Sequence, residues 1–167
     1  GRIEFMSFGD VHFNERINGI VPRSISLPAS KPDEFIQRVE VDLQKLVDRF
    51  DLSSGVINVD VIETNDGEPV MIDIGIRNGG NLFNDIIHYH SGVNLIELSL
   101  KQCVGDPIGP ETVRSKNEFY AHTVIHSEVD GTFDSVEFSN EIQPLIIYKA
   151  IKNEKGDQVK RFTNSSH

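Results

Sequence analysis

The chain has 167 residues, of which 38% are hydrophobic and 25% charged, the balance of an ordinary soluble globular protein with a core of its own. Acidic residues outnumber basic ones by 26 to 16, and the formal net charge of −10 disfavours nucleic acid and anionic membranes as partners. No apolar run approaches the roughly 18 residues of a membrane span. A single cysteine excludes a disulfide framework and favours a cytoplasmic location. Because the sequence does not begin with Met, we expect a piece of something longer.

The first third of the chain predicts strands followed by one helix. Residues 2–27 are rich in β-branched and aromatic side chains and predict two or three strands. Ser30 is the predicted N-cap of the helix, with Pro32 in its first turn. Apolar residues then recur at spacings of three and four, which predicts a helix of about five turns that packs on a sheet. This apolar stripe consists of Phe35, Val39, Leu43, Leu46 and Phe50.

A β-hairpin and two short helices are predicted next. Residues 55–64 and 69–77 alternate in polarity around Asp66-Gly67, a strong hairpin indication because the turn needs positive φ. Residues 78–81 predict a flexible loop. Two short helices are predicted over 82–90 and 93–104, with a break at Ser91-Gly92 between them, and Gly105 ends the second. From Lys116 onward the pattern is β again. The further predicted strands are 119–128, 132–138, 144–151 and 158–162.

This order of elements predicts an α+β fold with a largely antiparallel sheet and packed helices. We expect residues 1–167 to form a single domain or a fragment of one. Within it, residues 1–105 would form one lobe and residues 116–167 a C-terminal β segment.

The hairpin concentrates the polar residues of chemical interest. Pairing its strands symmetrically about Asp66-Gly67 places Asp60 opposite Asp73, with Cβ atoms about 4.5–5.5 Å apart. Two carboxylates this close share a proton or bind a cation, and hard oxygen ligands suit Mg²⁺. Arg77 lies on the same face and could hold a phosphate or carboxylate. The alternative is that both acids are ordinary solvated positions, and a one-residue bulge would change the register.

The opposite face of the hairpin is apolar and is predicted to face the core. It carries Ile57, Val59 and Val61 on the first strand and Val70, Ile72, Ile74 and Ile76 on the second.

The hairpin pattern resembles the C-terminal half of the ATP-grasp domain, the superfamily of biotin carboxylase, carbamoyl-phosphate synthetase and the purine-pathway carboxylate–amine ligases. The resemblance rests on an acid on each paired strand, the Asp-Gly turn between them, and the following Arg77 and Gly79-Gly80. It extends to residues 90–95 after the site and more loosely to most of the chain. It implies that Asp60 and Asp73 hold magnesium and that Arg77 contacts the phosphoryl group as a catalytic residue. Arg77 and Asn81 would bind the cofactor or substrate.

The resemblance implies an ATP- and Mg²⁺-dependent ligase that makes an acyl phosphate from a carboxylate and passes the acyl group to an amine. Three departures accompany it. Both acids are Asp where the family commonly has Glu, and Gly75 stands where it commonly has Asn. No glycine-rich phosphate loop occurs, so this chain would be one lobe and an upstream lobe would complete the enzyme. The alternatives are a non-catalytic binding or assembly module and a Mg²⁺-dependent phosphohydrolase. A homodimer stays open.

Histidine and cysteine give weaker indications. His88 and His90, with Asp85 nearby, do not have the i, i+4 spacing of a zinc site. His122 and His126 could meet on one face of a strand, without a third ligand in reach. We expect these histidines to pack or face solvent, and Cys103 to be a small buried side chain rather than a nucleophile.

Overall fold

The computed structural model describes residues 1–14, 18–106, 113 and 118–162. The chain divides into two compact units. The first comprises residues 1–12 and 24–123, and the second comprises residues 13–23 and 124–167. The predicted segment boundaries at 116 and 167 lie outside the described residues. The α+β class is confirmed, since the described residues form three α-helices and strands whose described pairings are antiparallel.

The strands predicted near the start of the chain occupy only part of residues 2–27. Strand β1 spans Asp10–Asn14 and β2 spans Asn18–Leu27, whereas residues 2–9 form no strand. Strand β5, Tyr120–Thr123, pairs antiparallel with residues 24–27 of β2, so the sheet order is β1-β2-β5. The predicted strand over 119–128 is therefore shorter than expected.

Helix α1, Asp33–Arg49, packs against the second strand of the hairpin, β4, which spans Pro69–Gly75. Its buried residues are Phe35, Val39, Leu43 and Val47. The buried residues recur every four positions, which corrects the end of the predicted apolar stripe. Val47 is its last buried residue, whereas Phe50 lies beyond the last helical turn and is 68% exposed. The N-cap is Pro32 and not Ser30, and it makes no side-chain capping bond.

The hairpin strands are β3, Asn58–Glu63, and β4, Pro69–Gly75. Helix α2, Phe83–Ser91, follows and ends at Gly92 in the left-handed conformation. Helix α3, Leu95–Val104, is capped by the Asn94 side chain, which accepts a hydrogen bond from the Glu97 amide, and it ends at left-handed Gly105. The two predicted helices and their glycine ends are thus confirmed. None of the described helices is both long and apolar enough to cross a membrane.

Residues 124–162 of the second unit contain little regular structure. Strands β6, Gly131–Thr132, and β7, Gln158–Val159, form a short antiparallel pair. A single 3-10 turn at Gln143–Leu145 replaces the start of the strand predicted over 144–151. Pro144 lies within this turn, and its ring fixes φ in the helical range while removing a donor that a strand would need.

The core of the first unit lies where β2 meets α2. Leu27 is fully buried against Ile86 and Ile87, and partly buried side chains from neighbouring elements surround this cluster. The surrounding residues are Phe5, Ile25, Phe83, Leu95 and Tyr120. Helix α2 is thereby anchored to the sheet, and this anchoring fixes the loop that joins it to the hairpin.

Truncating Leu27 to Ala is expected to lower the free energy of unfolding by about 2–5 kcal/mol, because it leaves a cavity in addition to the lost burial. Leu100→Ala on α3 is the matched control, since this side chain is 63% exposed. Urea denaturation followed by circular dichroism measures both. An equal effect of the two substitutions would contradict the placement of the core.

Candidate functional site

The β3–β4 turn is one residue longer than the sequence suggested. The Thr64 amide donates to the Glu68 carbonyl (2.9 Å) and the Gly67 amide to the Thr64 carbonyl (2.9 Å). Three residues, 65–67, therefore form the loop, and Gly67 has φ +83°. The Thr64 hydroxyl donates to the Asp66 carboxylate and lowers the pKa of that carboxyl. Such a loop ends in a left-handed residue, for which glycine carries no steric cost.

A bulge in β4 shifts the register back. Near the turn, Ile62 pairs with Val70 and Val61 with Met71, but Asp60 pairs with Asp73. Ile72 is the extra residue that interrupts the ladder. The longer loop and the bulge each shift the pairing by one residue in opposite senses. Asp60 and Asp73 consequently lie directly across from each other, as the symmetric pairing predicted, although Val70 does not lie where it was predicted.

Side chains alternate between the two faces of a strand, and directly opposed residues share a face. The face that carries the two acids is called the acid face below. It contains Asn58, Asp60 and Ile62 on β3 and Val70, Asp73 and Gly75 on β4. Val70 was predicted on the core face, and the bulge moves it. Ile72, Ile74 and Ile76 are 44–68% exposed, so the predicted core position of these side chains is also wrong in the described chain.

Both acids are exposed, and neither carboxylate forms an ion pair or a hydrogen bond with another described residue. Opposed like charges on paired strands repel each other. Two hard oxygen donors with open surroundings suit a Mg²⁺ ion that keeps several waters and phosphate oxygens as its other ligands. No group of three or more His, Cys, Asp and Glu side chains that could hold a metal exists within the described residues. The chain therefore offers two carboxylates and no protein cage.

Arg77 reaches the acid face because position 75 is a glycine. A Cβ placed on Gly75 would lie 3.2 Å from Arg77 Nε and 3.3 Å from its Cγ, so the arginine side chain occupies the space of the absent side chain. The Arg77 amide donates to the Gly75 carbonyl (2.9 Å), and Nη1 donates to the Asn78 carbonyl (3.0 Å). This arrangement places an exposed guanidinium beside the acid pair without an ion pair to either acid.

The loop after β4 is closely packed at Gly79. A Cβ on this residue would lie 2.9 Å from Phe83 Cδ1 and 3.0 Å from Asn58 Oδ1, whereas a Cβ on Gly80 would meet nothing within 4 Å. The loop, predicted as a flexible connector, therefore makes tight contacts at one of its two glycines. Asn81 follows with φ +51°, is exposed, and precedes the equally left-handed N-cap Leu82 of α2.

The substitution Gly79→Ala is expected to destabilise the chain by about 1–3 kcal/mol, the usual cost of forcing atoms into a packed site. Gly80→Ala is the matched control, with an expected change within about 0.5 kcal/mol. Chemical denaturation of the two variants gives the comparison. Equal stabilities would mean that the loop is not held against Phe83 and Asn58.

The remaining candidate residues do not assemble into a site. His88 is exposed, and the His90 ring packs edge-on against Tyr120 with centroids 6.1 Å apart. Strand β5 ends at Thr123, so the strand face expected to join His122 with His126 does not extend that far. Burial lowers the pKa of both imidazoles; nearby Asp85 opposes this shift at His122, and Arg23 adds to it at His126.

Cys103 is exposed, which corrects its expected burial, since it lies in the last turn of α3 and no residue of this helix is buried. A groove of about 510 Å³ lies between α1 and the start of β4, lined by charged side chains such as Arg38 and Glu68. These two form an exposed ion pair of 2.5 Å, and none of the acid-face aspartates or Arg77 borders the groove.

Sequence reasoning did not identify Asn84 and Ser99, which contact the loop. Asn84 is 9% exposed, and its Nδ2 donates to the Gly79 carbonyl (2.8 Å). The Asn78 Nδ2 donates to Ser99 Oγ on α3 (2.8 Å). The available indication was a polar residue on the buried side of α2, because Asn84 precedes buried Ile87 and Ser91 by three and seven residues.

No protein-family profile matches the chain, and no curated protein sequence matches it. Its fold is similar to that of phosphoribosylglycinamide synthetase from Anaerococcus prevotii, with a TM-score of 0.68 and 19% identity over 94% of this chain and 40% of that one. It is also similar to L-amino acid ligase from Bacillus licheniformis, with a TM-score of 0.66 and 16% identity over 89% of this chain and 37% of that one. The chain spans about two-fifths of the length of these enzymes. Both are ATP-grasp enzymes, so the predicted resemblance is confirmed at the level of the fold, which this chain shares with part of each of them.

Proposed function

We propose that the chain forms the part of an ATP- and Mg²⁺-dependent carboxylate–amine ligase that holds the metal and the phosphates of ATP. The observation that carries the proposal is the acid face, where Asp60 opposes Asp73 and Arg77 lies over Gly75. Paired carboxylates beside an arginine are the usual equipment of phosphoryl transfer. The shared fold with two ligases supports the same assignment.

The donor set fits Mg²⁺ in type and in number. Asp60 and Asp73 supply two carboxylates, and the exposed surroundings leave room for water and phosphate oxygens. The absence of a side chain at Gly75 removes an oxygen that the family commonly provides, so a larger share of the ligands would come from water and nucleotide. An ion held by Asp60 and Asp73 would neutralise charge on the transferring phosphate.

The protein residues act mainly by position and charge. A substrate carboxylate oxygen attacks the γ-phosphorus of ATP, and the bond to the β–γ bridging oxygen breaks to release ADP. Arg77 donates hydrogen bonds to the equatorial phosphoryl oxygens, where its planar guanidinium can bind two of them at once. The amine then attacks the acyl carbon, and phosphate and a proton leave. Asn81 contributes to placing the acid.

The test uses the protein expressed from the full reading frame that encodes this sequence. ATP hydrolysis coupled to product formation is measured with panels of carboxylates and amines, in Mg²⁺ and in EDTA. We expect sustained ADP formation in Mg²⁺ only when both substrates are present, because the acyl phosphate turns over only when the amine consumes it, and we expect Asp73→Asn to abolish this turnover.

Two other outcomes would overturn the proposal. Phosphate release from ATP without any acceptor would identify a phosphohydrolase that uses the same acid pair. If the wild type shows no Mg²⁺-dependent ATP binding and Asp73→Asn changes neither ATP binding nor ATP hydrolysis, the chain is a non-catalytic module.

A further inference from the structure

Two asparagine side chains tie the loop that carries Arg77 to two different helices. Asn84 on α2 donates through Nδ2 to the Gly79 carbonyl, and Asn78 donates through Nδ2 to Ser99 Oγ on α3, both at 2.8 Å. Arg77 Nη1 in turn donates to the carbonyl of Asn78. The guanidinium is therefore connected through the loop backbone to both helices.

The orientation of both amides follows from their partners. The Gly79 carbonyl can only accept, so the nitrogen of Asn84 must face it. Ser99 Oγ donates to the Leu95 carbonyl (2.9 Å) and accepts from the Asn78 nitrogen. Flipping either amide would lose one of these bonds.

This orientation leaves the Oδ1 atoms of Asn78 and Asn84 buried without a hydrogen-bond partner among the described residues. An unpaired buried acceptor costs free energy, and an apolar side chain of similar size would avoid that cost. The benefit of the amide must therefore come from its donor. At both positions that donor holds the loop between β4 and α2.

We propose that Asn84 and Asn78 are positioning residues that keep Arg77 on the acid face. The phosphate-binding role of Arg77 in this inference rests on the proposed function, but the positioning itself does not. Close packing at Gly79 assists, because Phe83 and Asn58 leave this residue no space to shift toward them. Arg77 is exposed and forms no ion pair with the acids, so its orientation depends on the loop.

The experiment measures the order of the Arg77 Nε–Hε group by ¹⁵N NMR relaxation in the 167-residue chain. Asn84→Asp replaces the donor with a carboxylate of the same shape, and Ser99→Ala removes the acceptor used by Asn78. Both are expected to lower the Arg77 order parameter into the range of flexible groups, below about 0.6. Ser99→Thr keeps the hydroxyl and should restore wild-type order. Asn140→Asp makes the same charge change on the exposed surface of the second unit and should have no effect.

A binding measurement separates positioning from general damage. Titration with ATP in the presence of Mn²⁺ should show an affinity about tenfold weaker in Asn84→Asp and Ser99→Ala, the loss expected for a displaced charged donor. The affinity for Mn²⁺ alone should stay within twofold of wild type, because the acids lie on the hairpin. If Asn84→Asp does not fold, the Ser99→Ala and Ser99→Thr pair carries the test.

The failures are distinguishable. A mobile Arg77 in the variants would support the positioning inference even if the protein expressed from the full reading frame binds no ATP, the result that would refute the ligase proposal. An Arg77 that stays as ordered in Asn84→Asp and Ser99→Ala as in wild type would overturn the positioning inference.

Discussion

Replacing Asp73 with Asn is expected to weaken Mn²⁺ or Mg²⁺ binding at least about 100-fold, because substitution of groups that only support metal ligands already costs about 10–100-fold. Turnover of the proposed ligase, in the protein expressed from the full reading frame, should fall at least as far. Isothermal titration with Mn²⁺ measures the binding, and Glu40→Gln, which removes an exposed charge on α1, is the control.

The same variant should be slightly more stable than wild type in EDTA. Directly opposed like charges destabilise paired strands by about 0.2–1 kcal/mol, and the substitution removes one of the two charges. Opposite effects on metal affinity and on unfolding free energy are the expected result. A variant that loses stability and metal affinity together would show that the hairpin had been damaged, and retained metal affinity would contradict the role of the acid pair.

Two substitutions of Arg77 should separate the effect of its positive charge on turnover from the effect of its planar pair of donors. Arg77→Ala is expected to lower turnover at least about 100-fold, comparable to the loss of one donor to a developing oxyanion. Arg77→Lys keeps the charge but not the planar pair of donors, and we expect about a tenfold loss. Steady-state kinetics with saturating substrates gives both values. Arg49→Ala, at the exposed end of α1, is the control.

Mn²⁺ binding in the absence of nucleotide should be unchanged or slightly tighter in Arg77→Ala, because a neighbouring positive charge has been removed. Equal activities of Arg77→Lys and wild type would contradict a role that depends on two parallel hydrogen bonds. A loss of Mn²⁺ affinity in the alanine variant would mean that Arg77 supports the acids structurally.

The helices were the most predictable part of the fold, because their ends carry local chemistry. The glycines at 92 and 105 lie where the sequence placed the breaks, whereas α3 begins two residues later than predicted, after the Asn94 cap. Helix α1 was correct in extent to within a turn, but Val47 replaced Phe50 as the last buried residue. A spacing of three or four fits both residues, and only the strand packed against the helix decides between them.

The pairing of Asp60 with Asp73 was predicted correctly, but the turn and strand geometry that produces it was not. Symmetric pairing about Asp66-Gly67 assumed a two-residue turn and no irregularity. The chain has a three-residue loop and a bulge at Ile72, and their effects on the acid pair cancel. Bulges depend on packing and twist rather than on a local motif. The sequence therefore allowed us to predict that Asp60 and Asp73 face each other, but not on which face of the hairpin Val70 and Ile72 lie.

The contacts that each element makes with its neighbours were the least predictable feature. Alternation along β4 identifies apolar side chains but not what covers them, and Ile74 and Ile76 are exposed in the described chain. Likewise, the contact of Asn84 with Gly79 depends on how α2 docks on the sheet. Sequence alone gave no reason to connect an asparagine in a helix to an arginine seven residues earlier.

The Ile72 bulge determines which single-residue deletions keep the two aspartates facing each other. Deleting Ile72 would remove only the unpaired residue, so Met71 would still pair with Val61 and Asp73 with Asp60. Shortening the loop by one residue would likewise leave the pairs beside it unchanged. Deleting one residue of β3 between Asp60 and the loop would instead place Asp73 opposite Val59 and turn its carboxylate to the other side of the ribbon. This hairpin is therefore expected to tolerate the loss of Ile72 or of a loop residue, but not of a residue in β3.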